Sequence, residues 1–395
     1  MAIAHRVRHH MQAASWIRAM FEEGIHLKRQ YGADNVCDFS LGNPVLEPPA
    51  QFYEVLHQLV THRQPGQHRY MPNAGYPETR AAIATQLACE TGLPFTAQHI
   101  VMVVGAAGGL NVILKTLLDP GDEVMMFSPY FVEYHFYVEN HQGLSTVVPT
   151  DAQFNLDLDA IAQALTPRTK ILLINSPNNP SGVVYPAATI QALGALLQQK
   201  QAEFGTEIYL VSDEPYKKLL YDGLVYPEVY PHYPNSLVVT SHAKDLALPG
   251  ERIGYIATNP ACADVPVLQE GLSFANRTLG FVNAPALMQH VITQLQGVTI
   301  DMAQYARKRD LLCSHLAAMG YQFVKPQGGF YLFPRSPIPD DVAFVKALLE
   351  RRILTVPGSG FGTPGYFRIA YCVEDSTIER AFEGFRAVAH AYGLC

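Results

Sequence analysis

The chain has 395 residues, 48% of them hydrophobic, which is enough to bury a large core and to form two domains. A formal net charge of -7 leaves no basic excess, which argues against nucleic acid as a partner. No apolar run approaches the ~20 residues of a membrane span, and the first residues lack the apolar centre of a secretion signal.

The stretch from Met1 to Met20 carries Arg6, Arg8 and Arg18 and no acid, a composition shared with organelle transit peptides. From Ser15 through Lys28, however, the pattern reads as an amphipathic helix leading straight into the fold, so the expected location is the cytoplasm. Cys37, Cys89, Cys262, Cys313, Cys372 and Cys395 lie far apart with no Cys-x-x-Cys pair. That spacing fits a reducing compartment and argues against a zinc cluster or a disulfide framework. The histidines show no ligand spacing either, and no metal is expected.

Apolar runs then alternate with helical patterns. Strands are predicted near 100–104, 123–127, 145–149, 170–174, 207–212, 236–240 and 252–257, with helices over 108–118, 131–140, 157–165 and 187–203. This alternation indicates an α/β fold with a mostly parallel central sheet covered by helices on both faces. After Gly297 a long helix through Leu316 is expected, followed by strands near 321–324, 329–334 and 366–370 and helices over 340–351 and 375–391. These would form a smaller α+β unit. No repeat, low-complexity tract or Gly/Ser linker interrupts the chain.

Several segments carry chemistry. Gly105-Ala-Ala-Gly-Gly-Leu-Asn111 follows one predicted strand and opens a helix, so the amides of Ala106 and Ala107 can face an anion; the bland alternative is a plain connection. Asn175-Ser-Pro-Asn-Asn-Pro-Ser-Gly182 is a turn-rich loop after another strand. Asp213 and Tyr216 end the run Glu207 to Tyr216, where α/β sheets bind ligands, although a turn or cap carboxylate would read the same. Ser241-His-Ala-Lys-Asp-Leu-Ala-Leu-Pro-Gly-Glu-Arg-Ile-Gly254 sets an amine, Lys244, among a hydroxyl, Ser241, and a guanidinium, Arg252. A lysine amine can form a Schiff base with an aldehyde, and Ser241 and Arg252 can both reach a phosphate. Arg368 lies in the strand-like Phe367-Arg-Ile-Ala370, where it either holds a carboxylate by two parallel hydrogen bonds or forms a structural ion pair.

With Lys244, Asp213, Tyr216 and Asn179 in this order, the chain resembles the class I/II aminotransferases, fold type I enzymes that use pyridoxal 5'-phosphate. The resemblance runs from Phe39-Ser-Leu-Gly-Asn-Pro44 to Phe367-Arg-Ile-Ala370. It implies an N-terminal arm (1–12), a small domain (13–47 and 299–395) and a large cofactor-binding domain (48–298). It further implies that Lys244 holds the cofactor covalently and that Asp213 faces its ring nitrogen. Tyr216 and Asn179 would face the ring oxygen, and Tyr130 would stack on the ring. Ser241, Arg252, Ala106 and Ala107 would hold the phosphate, with Tyr70 reaching the phosphate of a neighbouring subunit in a homodimer. Arg368, helped by Asn179 and the backbone of Gly42, would take the substrate carboxylate. Two positions depart from the family pattern. Many relatives have a hydroxyl residue where Ala106 or Ala107 stands, and another where Ala243 precedes the lysine.

The implied activity is ping-pong transfer of an amino group between an L-amino acid and a 2-oxo acid. A lyase, decarboxylase or oxidase on the same scaffold remains an alternative, and a ligand-sensing domain without catalysis is a third reading. For the substrate side chain two readings stay open: Arg277 favouring an acidic group, or Tyr134 and Tyr137 lining an apolar or aromatic pocket.

Overall fold

A computed structural model describes residues 2–12 and 16–394. The predicted helix start at Ser15, the first residues of the small domain at 13 and the terminal Cys395 lie outside the described residues.

The chain opens with helices α1 (His5–Gln12) and α2 (Trp16–Tyr31) and a short strand β1 (Cys37–Asp38). Helices α3 (Ala50–Thr61) and α4 (Pro77–Thr91) precede β2 (Ile100–Val103), α5 (Gly105–Leu117), β3 (Glu123–Ser128), α6 (Glu133–Asn140) and β4 (Leu144–Pro149). Then come α7 (Leu158–Ala164), β5 (Thr169–Asn175), α8 (Ala187–Phe204), β6 (Tyr209–Asp213), β7 (Ser236–Ser241), α9 (His242–Asp245) and β8 (Gly254–Thr258). Helices α10 (Val265–Thr278), α11 (Ala286–Gln294) and α12 (Met302–Ala318) lead to β9 (Tyr331–Leu332), α13 (Asp341–Glu350), β10 (Ile353–Leu354), β11 (Val356–Pro357), β12 (Phe367–Ala370) and α14 (Asp375–Ala391).

The apolar runs become strands because both their faces are buried. In β2, Ile100 and Met102 join one core while Val101 and Val103 join the other; in β5, Leu172 and Ile174 oppose Ile171 and Leu173 in the same way. The result is a seven-stranded sheet in the order β2-β8-β7-β6-β5-β3-β4. Strands β4, β3, β5, β6 and β7 pair in parallel, whereas β8 pairs antiparallel with both β7 and β2. Reversal of β8 has a consequence for function. The C-terminal ends of β2, β3, β5, β6 and β7 share one edge of the sheet, and the N-terminal end of β8 joins them, with Gly254 in register with Ser241 on one side and Val103 on the other.

A second core gathers α12, α13 and α14 around the small sheet β11-β12-β9 and the parallel pair β1-β10. Here the structure corrects the reading. Residues 321–324 form no strand; Tyr321 instead packs its ring among Phe344, Phe367 and Phe385, so the apolar signal came from core packing of an irregular segment. The strand expected over 329–334 contracts to Tyr331–Leu332. Helices α3, α4, α10 and α11 fall in stretches where the pattern suggested none. No helix among the described residues is long and apolar enough to cross a membrane.

Glu214, next to Asp213, is 1% exposed. Burial pushes its carboxyl from 4.5 up to about 8. The fold therefore favours the protonated form, a contribution fully present below about pH 4.5 and lost as pH rises toward 8. In denaturant titrations Glu214→Gln should lose less stability than the parent between about pH 5 and pH 8; equal losses would contradict this.

Candidate active site

The shared sheet edge assembles a cavity of about 250 Å³. From β7, the four-residue helix α9 presents Lys244. Ser241 caps this helix by accepting from the Ala243 amide at 3.2 Å. Asp245 anchors it from behind through His242 at 3.1 Å and Lys218 at 3.4 Å. The Lys244 ammonium donates to the carbonyl of Gly42 at 2.6 Å and pairs with no carboxylate among the described residues. Burial, with the Arg368 and Arg252 charges adding to it, brings this amine down to about 8.

Asp213 ends β6 inside the cavity and is 6% exposed. Its backbone carbonyl accepts from the Asn175 amide group at 2.8 Å, which ties the ends of β5 and β6 together. The Tyr134 hydroxyl donates to Asp213 Oδ2 at 2.6 Å, whereas Oδ1 is buried without a partner. Burial raises the carboxyl to about 7, offset in part by the Tyr134 hydrogen bond. These contacts are not those of a cap or turn carboxylate.

Ala106 and Ala107 stand in the first turn of α5 against the cavity, beside Ser241 and Arg252. Arg252 holds a left-handed backbone (φ 51) and donates to the carbonyls of Pro249 at 3.0 Å and Val104 at 3.2 Å. Gly105 makes this approach possible, since its φ is 77 and a Cβ there would lie 2.6 Å from the Arg252 guanidinium. Backbone amides, the guanidinium and the Ser241 hydroxyl, which donates to the Ile253 carbonyl at 3.3 Å, thus line the cavity together.

Arg368, on β12, is 1% exposed. It donates to Asn179 Oδ1 at 3.0 Å and to the Ser40 carbonyl, and its guanidinium lies 4.8 Å from the Tyr331 ring and 4.9 Å from the Phe361 ring. No carboxylate pairs with it among the described residues, and its Nε is buried without an acceptor. The structural ion pair is therefore not formed, and the group is available to an incoming anion.

Gly42, Asn179 and Tyr216 also line the cavity. One residue expected there does not. Tyr130 turns away: its hydroxyl is 2.8 Å from His135 Nε2, and its ring fills the space left by the absent side chain of Gly362. Phe131, one residue on, lines the cavity in its place. Tyr70, expected at the phosphate of a neighbouring subunit, is 90% exposed and does not line this cavity. Arg277, expected near a neighbouring subunit's site, lies in a surface depression with Asn73 and Phe274.

Tyr134 and Tyr137 do line the cavity, but the Tyr134 hydroxyl is committed to Asp213. Spacing of three within α6, which puts both rings on one helical face, was the available signal. Tyr331 was missed altogether. It lines the cavity and its hydroxyl is 2.9 Å from that of Tyr216.

The donor set fits pyridoxal phosphate: an orphan carboxylate oxygen suits a protonated ring nitrogen, a depressed lysine suits an aldehyde, and the amide-hydroxyl-guanidinium group suits a phosphate.

Comparison with known proteins identifies the family. The family model "Aminotransferase class I and II" matches residues 34–385. The chain is 34% identical to the aspartate/prephenate aminotransferase of Thermus thermophilus over 384 residues, 94% of each protein. A crystal structure of an amino transferase from Eubacterium rectale superposes with a TM-score of 0.95 at 38% identity, covering 99% of both chains. Aspartate aminotransferase from Thermus thermophilus with maleate gives 0.85 at 31% identity, covering 98% of this chain and 100% of that one.

An amine with a pKa of about 8 is roughly half unprotonated near pH 8, whereas an ordinary lysine is almost wholly charged there. Reductive methylation of cofactor-free protein near pH 8 should therefore modify Lys244 ahead of the exposed lysines in peptide mapping. Labelling of Lys244 last, or only at higher pH together with the others, would contradict the depressed amine.

Proposed function

This chain belongs to the aminotransferase class I and II family, and on that premise we propose that it moves an amino group from an L-amino acid to a 2-oxo acid with pyridoxal 5'-phosphate held in the cavity at the sheet edge. The observation that carries the reading is Lys244, a partly buried amine without a counter-ion, facing the same cavity as the orphan oxygen of Asp213. Lys244 would hold the cofactor through its amine, Asp213 would accept from the ring nitrogen, and Tyr216 and Asn179 would face the ring oxygen. Ser241, Arg252 and the amides of Ala106 and Ala107 would hold the phosphate, with Phe131 supplying the aromatic wall in place of Tyr130. When bound, the cofactor supplies an electron-withdrawing ring that accommodates the electron pair of the broken Cα–H bond.

Each protein group then has a defined task. Arg368 orients the substrate by holding its carboxylate, with Asn179 steadying the guanidinium. Lys244 Nζ, freed once the substrate's amine has replaced it on the cofactor, would take the Cα proton, for which an amine near 8 is well matched. Asp213, with one oxygen fixed by Tyr134, would offer its other oxygen to the ring nitrogen. Two half-reactions in one cavity make the kinetics ping-pong, the first oxo acid leaving before the second enters.

We also propose that residues 13–47 and 299–395 form a small domain on a large domain, 48–298, after an N-terminal arm, and that the enzyme is a cytoplasmic homodimer. The exposed Tyr70 supports the dimer, since an aromatic side chain 90% open to solvent is available to a partner's phosphate site. Aspartate is the first amino acid to try, because relatives are named for it. Lys244, Arg252 and Arg368 already have tasks, and Arg277 lies outside the cavity, so recognition of a second carboxylate would fall to the partner subunit.

Lys244→Ala should purify without borohydride-reducible pyridoxal phosphate and transfer no amino group from any amino acid to a 2-oxo acid. A reducible adduct surviving in this variant would overturn the assignment of Lys244. Parent enzyme that released ammonia, carbon dioxide or peroxide without stoichiometric amino transfer would overturn the reaction.

A further inference from the structure

Tyr331 touches three parts of the proposed site at once. Its hydroxyl is 2.9 Å from the Tyr216 hydroxyl, and its ring meets that of Tyr216 edge-on at 5.6 Å. The Arg368 guanidinium lies 4.8 Å from the centre of the same ring. Its hydroxyl also fills the place of the side chain that Gly42 lacks, since a Cβ on Gly42 would lie 1.9 Å from it. Gly42 in turn accepts from Lys244, and Tyr331 on β9 pairs with Ala370 of the strand that carries Arg368. Tyr331 and Tyr216 are 3% and 5% exposed.

Counting protons sharpens the point. Two buried hydroxyls carry two protons, and the bond between them uses one. Neither hydroxyl has another hydrogen-bond partner among the described residues. The second proton is thus left to whatever fills the cavity.

We propose that Tyr331 is a positioning residue of the transamination site, donating its hydroxyl proton to Tyr216 so that the Tyr216 proton is directed at the ring oxygen of the bound cofactor. The direction follows from the proton count. Tyr216 carries a single hydroxyl proton; once that proton is given to the ring oxygen, the 2.9 Å contact between the two hydroxyls can only be filled by the proton of Tyr331. A hydroxyl that accepts one hydrogen bond is a better donor of the next, so Tyr331 strengthens the hydrogen bond that Tyr216 gives. Arg368, which holds the substrate carboxylate in the reading above, and Tyr216, which faces the cofactor, are in this way linked through one side chain.

The inference rests on the proposed cofactor site, and the test separates the two. The readout is the pH midpoint of the colour change of lysine-bound pyridoxal phosphate in the holoenzyme, measured without substrate. A hydrogen bond given to the ring oxygen favours its negative charge and so lowers that midpoint. Tyr331→Phe keeps the ring under Arg368 and removes only the hydroxyl. The midpoint should rise by roughly half to one pH unit, kcat should fall by roughly 3- to 10-fold, and KM for the amino acid should stay within about 2-fold because Arg368 is untouched. Tyr216→Phe should raise the midpoint further, and adding Tyr331→Phe to it should have no additional effect, since Tyr331 acts through Tyr216. Gly42→Ala, which would displace the hydroxyl without changing Tyr331, should raise the midpoint too. A midpoint that is unchanged or lowered in Tyr331→Phe, or equal additive shifts in the double variant, would overturn the role of Tyr331. A parent protein that shows no lysine-bound chromophore would instead overturn the cofactor reading itself.

Discussion

Of the four charged groups that line the cavity, three, Lys244, Asp213 and Arg368, are buried or partly buried, and none of the three has an ion-pair partner among the described residues. Taking a charge from water into a fold costs several kcal/mol unless it is paired, and proteins ordinarily pair such groups or let them lose their charge. Here the second route has begun, with Lys244 brought down to about 8 and Asp213 up to about 7, so each stands close to exchanging its proton near neutrality. A ligand offering an aldehyde, a protonated ring nitrogen and a carboxylate would relieve all three. The fold holds these groups in place beforehand, so that the relief becomes binding energy and orientation.

The device that holds them is the sheet edge. Parallel strands send their C-terminal ends to one side, which brings the turns after β2, β3, β5, β6 and β7 together. The single reversed strand β8 adds its N-terminal end, so that Arg252 arrives beside Ser241 through a register in which Gly254 faces Ser241. Arg368 comes from the other sheet, on β12, and closes the cavity through Asn179. A site drawn from both sheets can bind cofactor with one and substrate with the other.

Much of this was legible in the residues. Runs such as Ile171 to Ile174 are apolar throughout because both faces of the sheet are covered, and functional side chains sit where such runs end. What escaped was set by contacts between distant segments. Tyr130 and Phe131 are adjacent aromatics after one strand, and only the packing of Tyr130 against Gly362 and His135 decides which of them faces the cavity. Tyr331 lies 115 residues from Tyr216, and no local spacing marks their hydroxyls as partners. The partner of Tyr134, Asp213, was unreadable for the same reason. At 321–324, tertiary packing of Tyr321 imitated a strand, while α4, rich in alanine and threonine, has too few large apolar residues to show a helical stripe.

The central claim is that Lys244 and Asp213 hold pyridoxal phosphate for exchange of an amino group. The most direct test is the absorption spectrum of the purified protein before and after adding single amino acids, aspartate first, with no 2-oxo acid present. The account predicts a lysine-bound chromophore that converts to the aminated cofactor with release of one equivalent of oxo acid, and returns when a 2-oxo acid is added. A chromophore that no amino acid converts, or whose conversion a 2-oxo acid does not reverse, would contradict it.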